Sequence, residues 1–303
     1  MLVSRRFVLA SGAALAAPAI LRTPARAQGA LTLKLHHFLP AVSNVHQRLL
    51  LPWTKKVEAA SGGKLKIDLY PSMQLGGAPP QLYDQARDGV VDMVWTVTGF
   101  TPGRFPSTEV FELPFIANRL GIVNARACQD YAQTYLKQEM KDTKLLCFWA
   151  HDHGVIHSLK PIKTLEDFKG TKMRFPTRYV GEALRALGAN AIGIPTPQVP
   201  ESLAQRVIDG AVVPWEVVPA LKLHELVKYH TEIPGSPTFY TACLAVVMNI
   251  AKYESLPADL KQVIDEHSGM AFATAAGKMW DQVGLEVRDM VAKRGNPIHV
   301  ISE

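Results

Sequence analysis

Two α/β lobes facing a common cleft, braced by a long C-terminal helical region, form the fold that this sequence predicts. Three patterns predict it. Strand-like runs alternate with helical stretches through the first hundred residues. A second series of the same kind begins after residue 150. From Pro257 to about Arg294 the helical pattern runs on as one long helix or two. Alternation of this kind places helices over a largely parallel sheet. Two such units in succession put ligands between them, outside the carboxyl ends of the strands. The expected divisions are 28–150 for lobe one, 151–240 for lobe two, and 241–303 for a crossing strand and helical region bracing both.

The elements follow in order. Leu31, Leu33 and Leu35 alternate with Thr32, Lys34 and His36, the period of a strand. Ser43 is a candidate N-cap. Leu49, Leu50, Trp53, Val57 and Ala60 then form a helical stripe that Gly62-Gly63 ends. Leu65, Ile67 and Leu69 alternate as a second strand, with Pro71 and Gly76-Gly77 marking a loop. A helix from about Pro79 to Arg87 leads through Gly89 into a short buried strand, Val90 to Trp95. Residues 122–141 are helical by pattern, and Lys144 to Ala150 is an apolar strand. The second series gives a strand at Lys172 to Phe175, a helix at Thr177 to Leu187 and a strand at Ala189 to Ile194. A helix at Pro200 to Ile208, a strand at Gly210 to Val213, a helix at Pro214 to Leu226 and a β-rich run at Tyr240 to Asn249 complete it.

Composition narrows the function classes. The chain has 303 residues, 48% apolar and 20% charged, ordinary values for a folded globular protein. Residues 1–27 have the pattern of a signal peptide: Arg5 and Arg6, an alanine-rich apolar stretch from Phe7 to Leu21, and Ala25-Arg26-Ala27 as a cleavage site. Ser4-Arg5-Arg6-Phe7-Val8-Leu9 also fits a twin-arginine signal. A periplasmic location is therefore expected. The segment carries four arginines and no acid, so its removal lowers the formal charge from +6 to +2. No Lys/Arg run interleaved with aromatic residues points to nucleic acid. Cys128, Cys147 and Cys243 lie at spacings that match neither a disulfide framework nor a zinc motif.

The common enzyme motifs are missing: Gly-x-Ser-x-Gly, Walker A, Gly-x-Gly-x-x-Gly and His-Glu-x-x-His. His151-Asp152-His153, with His157, could hold a metal if both outer histidines faced one side of a strand. A periplasmic metal-dependent hydrolase is the alternative reading, although no metal or other cofactor is assigned. His36-His37 closes the first strand, which makes His37 a candidate cleft residue. Arg174 sits in Lys172-Met173-Arg174-Phe175-Pro176 at the end of an apolar strand. A guanidinium there either is aimed at the mouth of the sheet, where its fork matches a carboxylate with two parallel hydrogen bonds, or forms a salt bridge on the surface, and the pattern alone favours neither. Arg178 is the weaker alternative. Trp215-Glu216 follows Pro214 at another strand end, where tryptophan either walls a cleft or fills the core. Phe239-Tyr240 has the same two readings. Glu216 either faces the cleft or favours a helix N-terminus by its charge.

Several stretches together resemble the DctP-type substrate-binding proteins of tripartite ATP-independent periplasmic (TRAP) transporters. They are Leu35-His36-His37-Phe38, Ser61-Gly62-Gly63-Lys64-Leu65, and Tyr70-Pro71-Ser72-Met73-Gln74-Leu75-Gly76. Arg87-Asp88-Gly89-Val90-Val91-Asp92, Leu113-Pro114-Phe115, the run from Pro161 to Arg174, and Ile208-Asp209-Gly210 continue the series over about residues 31–290. The resemblance implies the two-lobed periplasmic binding protein fold, a long helix spanning both lobes, closure over an anionic ligand, and membrane subunits as partners. It matches Arg174 to the family's carboxylate-pairing arginine. Val213 stands where sialate-type members place an asparagine. Val212 and Val213 stand where metal-clamping 2-oxo-acid members place glutamate and tryptophan. The resemblance thus implies an apolar wall of Val213, Pro214 and Trp215, and a monocarboxylate with an apolar or aromatic body as the small organic acid captured.

Overall fold

The computed structural model describes residues 30–301; the signal-peptide pattern lies outside the described residues. In chain order the strands are β1 Leu31–His37, β2 Leu65–Tyr70, β3 Met93–Val97, β4 Thr143–Ala150, β5 Gly154–Ser158, β6 Lys172–Phe175, β7 Asn190–Gly193, β8 Gly210–Pro214, β9 Tyr229–Glu232, β10 Cys243–Asn249 and β11 Ile298–Val300. The helices are α1 Leu51–Ala60, α2 Leu82–Arg87, α3 Gly121–Tyr135, α4 Arg178–Ala186, α5 Val199–Ala204, α6 Leu223–Leu226, α7 Ile250–Glu254, α8 Ala258–Glu266 and α9 Gly269–Lys293. One sheet has the order β2-β1-β3-β10-β4, the other β11-β9-β5-β8-β6-β7.

Both sheets are mixed rather than largely parallel. β1 runs parallel to β2 and β3, whereas β10 is antiparallel to β3 and β4. In the other sheet β6 is parallel to β7 and β8, whereas β5 is antiparallel to β8 and β9. The antiparallel strands are those reached by direct crossings between sheets, with no covering helix to return the chain. One crossing is His151–His153, from β4 to β5. Another is residues 233–242, from β9 to β10. The two crossings are bonded to each other: the Gly154 N–H donates to the Tyr240 carbonyl at 2.8 Å, and the Thr241 hydroxyl to the His151 carbonyl at 2.8 Å.

The short strands β5, β9 and β11 are not apparent in the sequence. β5 and β9 carry polar residues at buried positions (His157, Ser158, His230, Thr231), which erases the apolar signal. The expected helix over Pro214 to Leu226 is only a single 3₁₀ turn, Trp215–Val217, and the short α6. The C-terminal helical region divides at Ser268-Gly269, where Gly269 takes φ 62°.

Helix α9, 25 residues long, crosses α3 at a glycine pair. A Cβ on Gly277 would lie 2.5 Å from the Ile122 Cα and 2.7 Å from the Gly121 carbonyl oxygen. One turn further on, Asp281 accepts the Gly121 and Ile122 N–H groups at 2.6 and 3.0 Å and so satisfies two free donors at the start of α3. Because the obstruction is backbone, no rotamer change relieves it. Gly277→Ala is expected to cost about 1–3 kcal/mol through overpacking. Thermal unfolding followed by circular dichroism should show a melting point lower by several degrees.

Candidate ligand-binding site

A small cavity, partly open to solvent, lies between the two sheets. Phe38, which follows β1, Trp95 and Val97 of β3, and Leu244 of β10 line it from the first sheet. Arg174 of β6, Val213 and Pro214 of β8, and Glu216 just beyond line it from the second. Tyr240, Ala242 and His151 come from the crossings, and Trp280 from α9. The aromatic side is fixed by packing. Phe38 stacks on Trp95 with ring centroids 4.7 Å apart and 18° between planes, and meets Phe100 edge-on at 5.3 Å.

Arg174 is fully buried. Its Nε donates to the Ile194 carbonyl at 2.7 Å, Nη1 to the Val212 carbonyl at 3.0 Å, and Nη2 to the Thr196 hydroxyl at 3.0 Å. Those bonds fix the fork and leave two of its five N–H groups. Among the described residues no carboxylate forms an ion pair with it. Burial pulls its pKa down to about 10, which still leaves it charged at neutral pH. A buried cation held by neutral acceptors is an expensive arrangement that an anion in the cavity relieves.

Glu216 faces the same cavity with the opposite tendency. Burial pushes its pKa up to about 8, offset in part by the Val45 N–H, which donates to Oε1 at 3.2 Å. The acid is therefore mostly neutral at pH 7, next to a site for a negative charge. Between its unfolded value of 4.5 and about 8, the folded form holds a proton that the unfolded form has released, so its contribution to stability falls as pH rises through that window. An anionic ligand should follow the same sign: affinity is expected to fall as pH rises from 7 to 9, because ionised Glu216 repels it. Calorimetric titration at several pH values should show a markedly flatter profile for Glu216→Gln.

His151 is a neutral element of the wall. Its Nδ1 is 2.6 Å from the Asp152 carbonyl, and its Nε2 accepts the Ala242 N–H at 3.0 Å. That pair of partners assigns the proton to Nδ1. Burial pushes its pKa down to about 3. The Tyr240 hydroxyl lies 3.3 Å from the same Nε2 and its pKa is raised by burial.

Of the residues expected from sequence, Arg174, Val213, Pro214, Glu216 and Tyr240 come together around the cavity. Three do not line it. Trp215 points to the other side of the chain, fully buried, with its indole N–H donating to Glu232 Oε1 at 2.9 Å. Phe239 packs against Phe115 with ring centroids 5.9 Å apart. His37 lies behind Trp95, its Nε2 2.9 Å from His46 Nδ1, its pKa pushed down to about 3 by burial. In each pair of neighbours, Trp215/Glu216 and Phe239/Tyr240, only one side chain can face the cavity. Phe38, Trp95, Thr196 and Trp280 were not anticipated. Phe38 and Trp95 sit at a strand end and in a strand's apolar run, which the core explains equally well. Trp280 is brought in by a distant helix.

The histidine cluster is differently built from the expected strand arrangement. His151 and His153 lie in the β4–β5 crossing, not on one strand face. His157 is in β5, with Nδ1 2.7 Å from His230 Nδ1 and Nε2 3.3 Å from the Val213 carbonyl. The Asn296 amide reaches His230 Nε2 at 3.4 Å, so one consistent chain of donors runs Asn296, His230, His157, Val213. These ring nitrogens are occupied by protein partners. Among the described residues, no three His, Cys, Asp or Glu side chains are grouped to hold a metal. Arg178, the other candidate cation, instead pairs with Glu109 at 2.6 Å.

The described residues contain no helix long and apolar enough to cross a membrane. The family of bacterial extracellular solute-binding proteins, family 7 (DctP), matches residues 35–303. A TRAP solute-binding protein from an unidentified marine microbe, specific for aromatic acid ligands and crystallised with 3-hydroxybenzoate, is 46% identical. The match covers 90% of this chain and 86% of that one, with a TM-score of 0.88. A TRAP solute-binding protein of Rhodoferax ferrireducens with copurified benzoate is 45% identical over 89% of this chain and 84% of that one, with a TM-score of 0.87. The C4-dicarboxylate-binding periplasmic protein DctP of Rhodobacter capsulatus is 25% identical over 88% of this chain and 78% of its own length. With the match extending over most of the chain and the two-sheet fold shared, the protein belongs to the DctP family of extracellular solute-binding proteins, those of TRAP transporters.

Proposed function

We propose that this protein captures an aromatic monocarboxylate of about benzoate size between its lobes and presents it to the membrane subunits of a TRAP transporter. One observation carries the reading: Arg174 is a fully buried cation without a carboxylate partner among the described residues, and it lines a cavity walled by Phe38, Trp95, Val213, Pro214 and Tyr240. The charge count favours one carboxylate over two. Apart from Arg174, the acids and bases of the wall are Glu216, His151 and Tyr240, and none of them is a cation at neutral pH. A second carboxylate would be buried against apolar groups without a partner. The two relatives that hold 3-hydroxybenzoate and benzoate support the aromatic body.

The capture step is lobe closure. Closure excludes water, and lower local polarity strengthens the Arg174–carboxylate attraction. The Asn44 side chain donating to the Glu216 carbonyl at 2.9 Å, and the Arg178–Glu109 pair, join the lobes when closed. The ligand shifts the population toward that form, which shows a different surface to the membrane partner. The role is a carrier's, with no catalytic step.

A thermal-shift screen of residues 28–303 tests the assignment with benzoate, hydroxybenzoates, succinate, gluconate and amino acids. A ligand at 100 times its dissociation constant adds about 2.7 kcal/mol, a rise of roughly 5–10 °C at this size. Selective rises with benzoates are expected. A rise with succinate or gluconate and none with benzoates would overturn the aromatic reading.

A further inference from the structure

Beside the cavity lies a second, mainly apolar hollow that is open to solvent, and Phe38 belongs to the walls of both. The hollow is bounded by Pro40, Met73 and Pro79 on one lobe and by Pro195, Pro197 and Leu221 on the other, with Ser72 and Gln198 as its two polar lining residues. The loop after β7 divides the two spaces by alternation: Thr196 faces the cavity and bonds Arg174, while Pro195 and Pro197 line the hollow. Phe38 is the one residue that the two linings share. It is 3% exposed and clamped by the stack on Trp95 and the edge contact to Phe100, so it does not swing aside freely.

We propose that Phe38 sets the length of acid the cavity accepts, and that the hollow behind it is a latent subsite for an apolar extension of the ligand. The proposal rests on the aromatic-monocarboxylate reading above. Its chemistry is consistent with both spaces. Arg174 anchors the carboxylate at one end, and no ionisable side chain lines the hollow at the other. The rigid rings of proline and the thioether of Met73 offer contact surface for an aryl or alkyl group, while the neutral Ser72 and Gln198 supply no opposite charge for a second carboxylate. A ligand that reached through the partition would keep its carboxylate on Arg174 and exchange its contact with the Phe38 ring for contact with the prolines.

Calorimetric titration of the parent and of Phe38→Ala with benzoate, 3-phenylbenzoate and 4-phenylbenzoate tests this. The parent should bind benzoate and bind the phenylbenzoates weakly or not at all. Phe38→Ala should bind benzoate about tenfold less tightly, and at least one phenylbenzoate at least about tenfold more tightly than the parent does, each factor corresponding to about 1.4 kcal/mol. Adding Gln198→Trp, at the rim of the hollow, should reverse the gain while leaving benzoate binding in the parent background unchanged. If Phe38→Ala does not fold, Phe38→Leu should show a smaller gain of the same sign. A folded variant that loses affinity for all three acids alike would overturn the proposal. So would a gain that Gln198→Trp does not reverse. A parent that binds no benzoate would overturn the aromatic reading itself, a result distinct from either.

Discussion

Arg174→Ala is expected to weaken aromatic-acid binding by about 30-fold to several-thousand-fold, the effect of about 2–5 kcal/mol for truncating one member of a buried charge pair. Affinity is the right readout because the effect on stability has two opposing parts. Truncation removes a buried cation whose lowered pKa reports the cost of its burial. It also strands the Ile194 and Val212 carbonyls and the Thr196 hydroxyl. Each buried acceptor left without a donor costs about 1–3 kcal/mol. The melting point can therefore move little while binding collapses. Arg174→Lys should recover part of the affinity, since it keeps the charge but not the planar fork. Isothermal titration with benzoate on variants shown to be folded by circular dichroism separates these cases. Parent-like binding by Arg174→Ala would remove the basis of the site assignment.

The parts of this architecture legible in the sequence are those where one physical signal dominates. β1 and β2 alternate over their first residues, Leu31–Leu35 and Leu65–Ile67, because one face is buried there and the other exposed. Arg174 is a candidate because its guanidinium ends an apolar strand, but a surface salt bridge explains that pattern equally well, and the family resemblance favours the cleft. β5 and β9 are hidden because their buried positions hold histidines and threonine whose hydrogen bonds, such as His157 to His230 and Thr231 to the Ile162 carbonyl, are long-range. Single-sequence periodicity carries no trace of such partners. The same limit applies to choosing between Trp215 and Glu216. A glutamate buried in a mainly apolar cavity contradicts ordinary partitioning, and only the inter-lobe contact with Val45 explains its placement. The histidine run looked metal-like because spacing was visible and the acceptors occupying its rings were not.

The second large effect concerns a residue that carries no chemistry. Gly154 opens β5 directly after the His151–His153 crossing, and its backbone N–H bonds the Tyr240 carbonyl in the other crossing. A Cβ at this position would lie 1.6 Å from Tyr240 Cδ1 and 2.3 Å from Cε1. Those distances are far inside van der Waals contact, so the ring must leave its place. It is not free to do so cheaply: the ring packs edge-on against His151 at 5.1 Å, and the hydroxyl lies within reach of His151 Nε2. Displacement of the ring toward the cavity takes up ligand space; displacement away from it pulls on the crossings. Gly154→Ala is thus expected to cost at least about 1–3 kcal/mol of stability and to weaken aromatic-acid binding as well. Gly277→Ala, which acts at the α3–α9 crossing and reaches the cavity only through Trp280, should destabilise with a smaller loss of affinity than Gly154→Ala. A double-mutant cycle with Tyr240→Ala isolates the cause. Removing the ring removes the obstruction, so Gly154→Ala should cost much less in the Tyr240→Ala background, with a coupling of about 0.5–3 kcal/mol. Additive effects would mean that the glycine is needed for backbone conformation and not for room. The cycle therefore distinguishes close packing of a glycine under a ligand-facing ring from a requirement of the backbone itself.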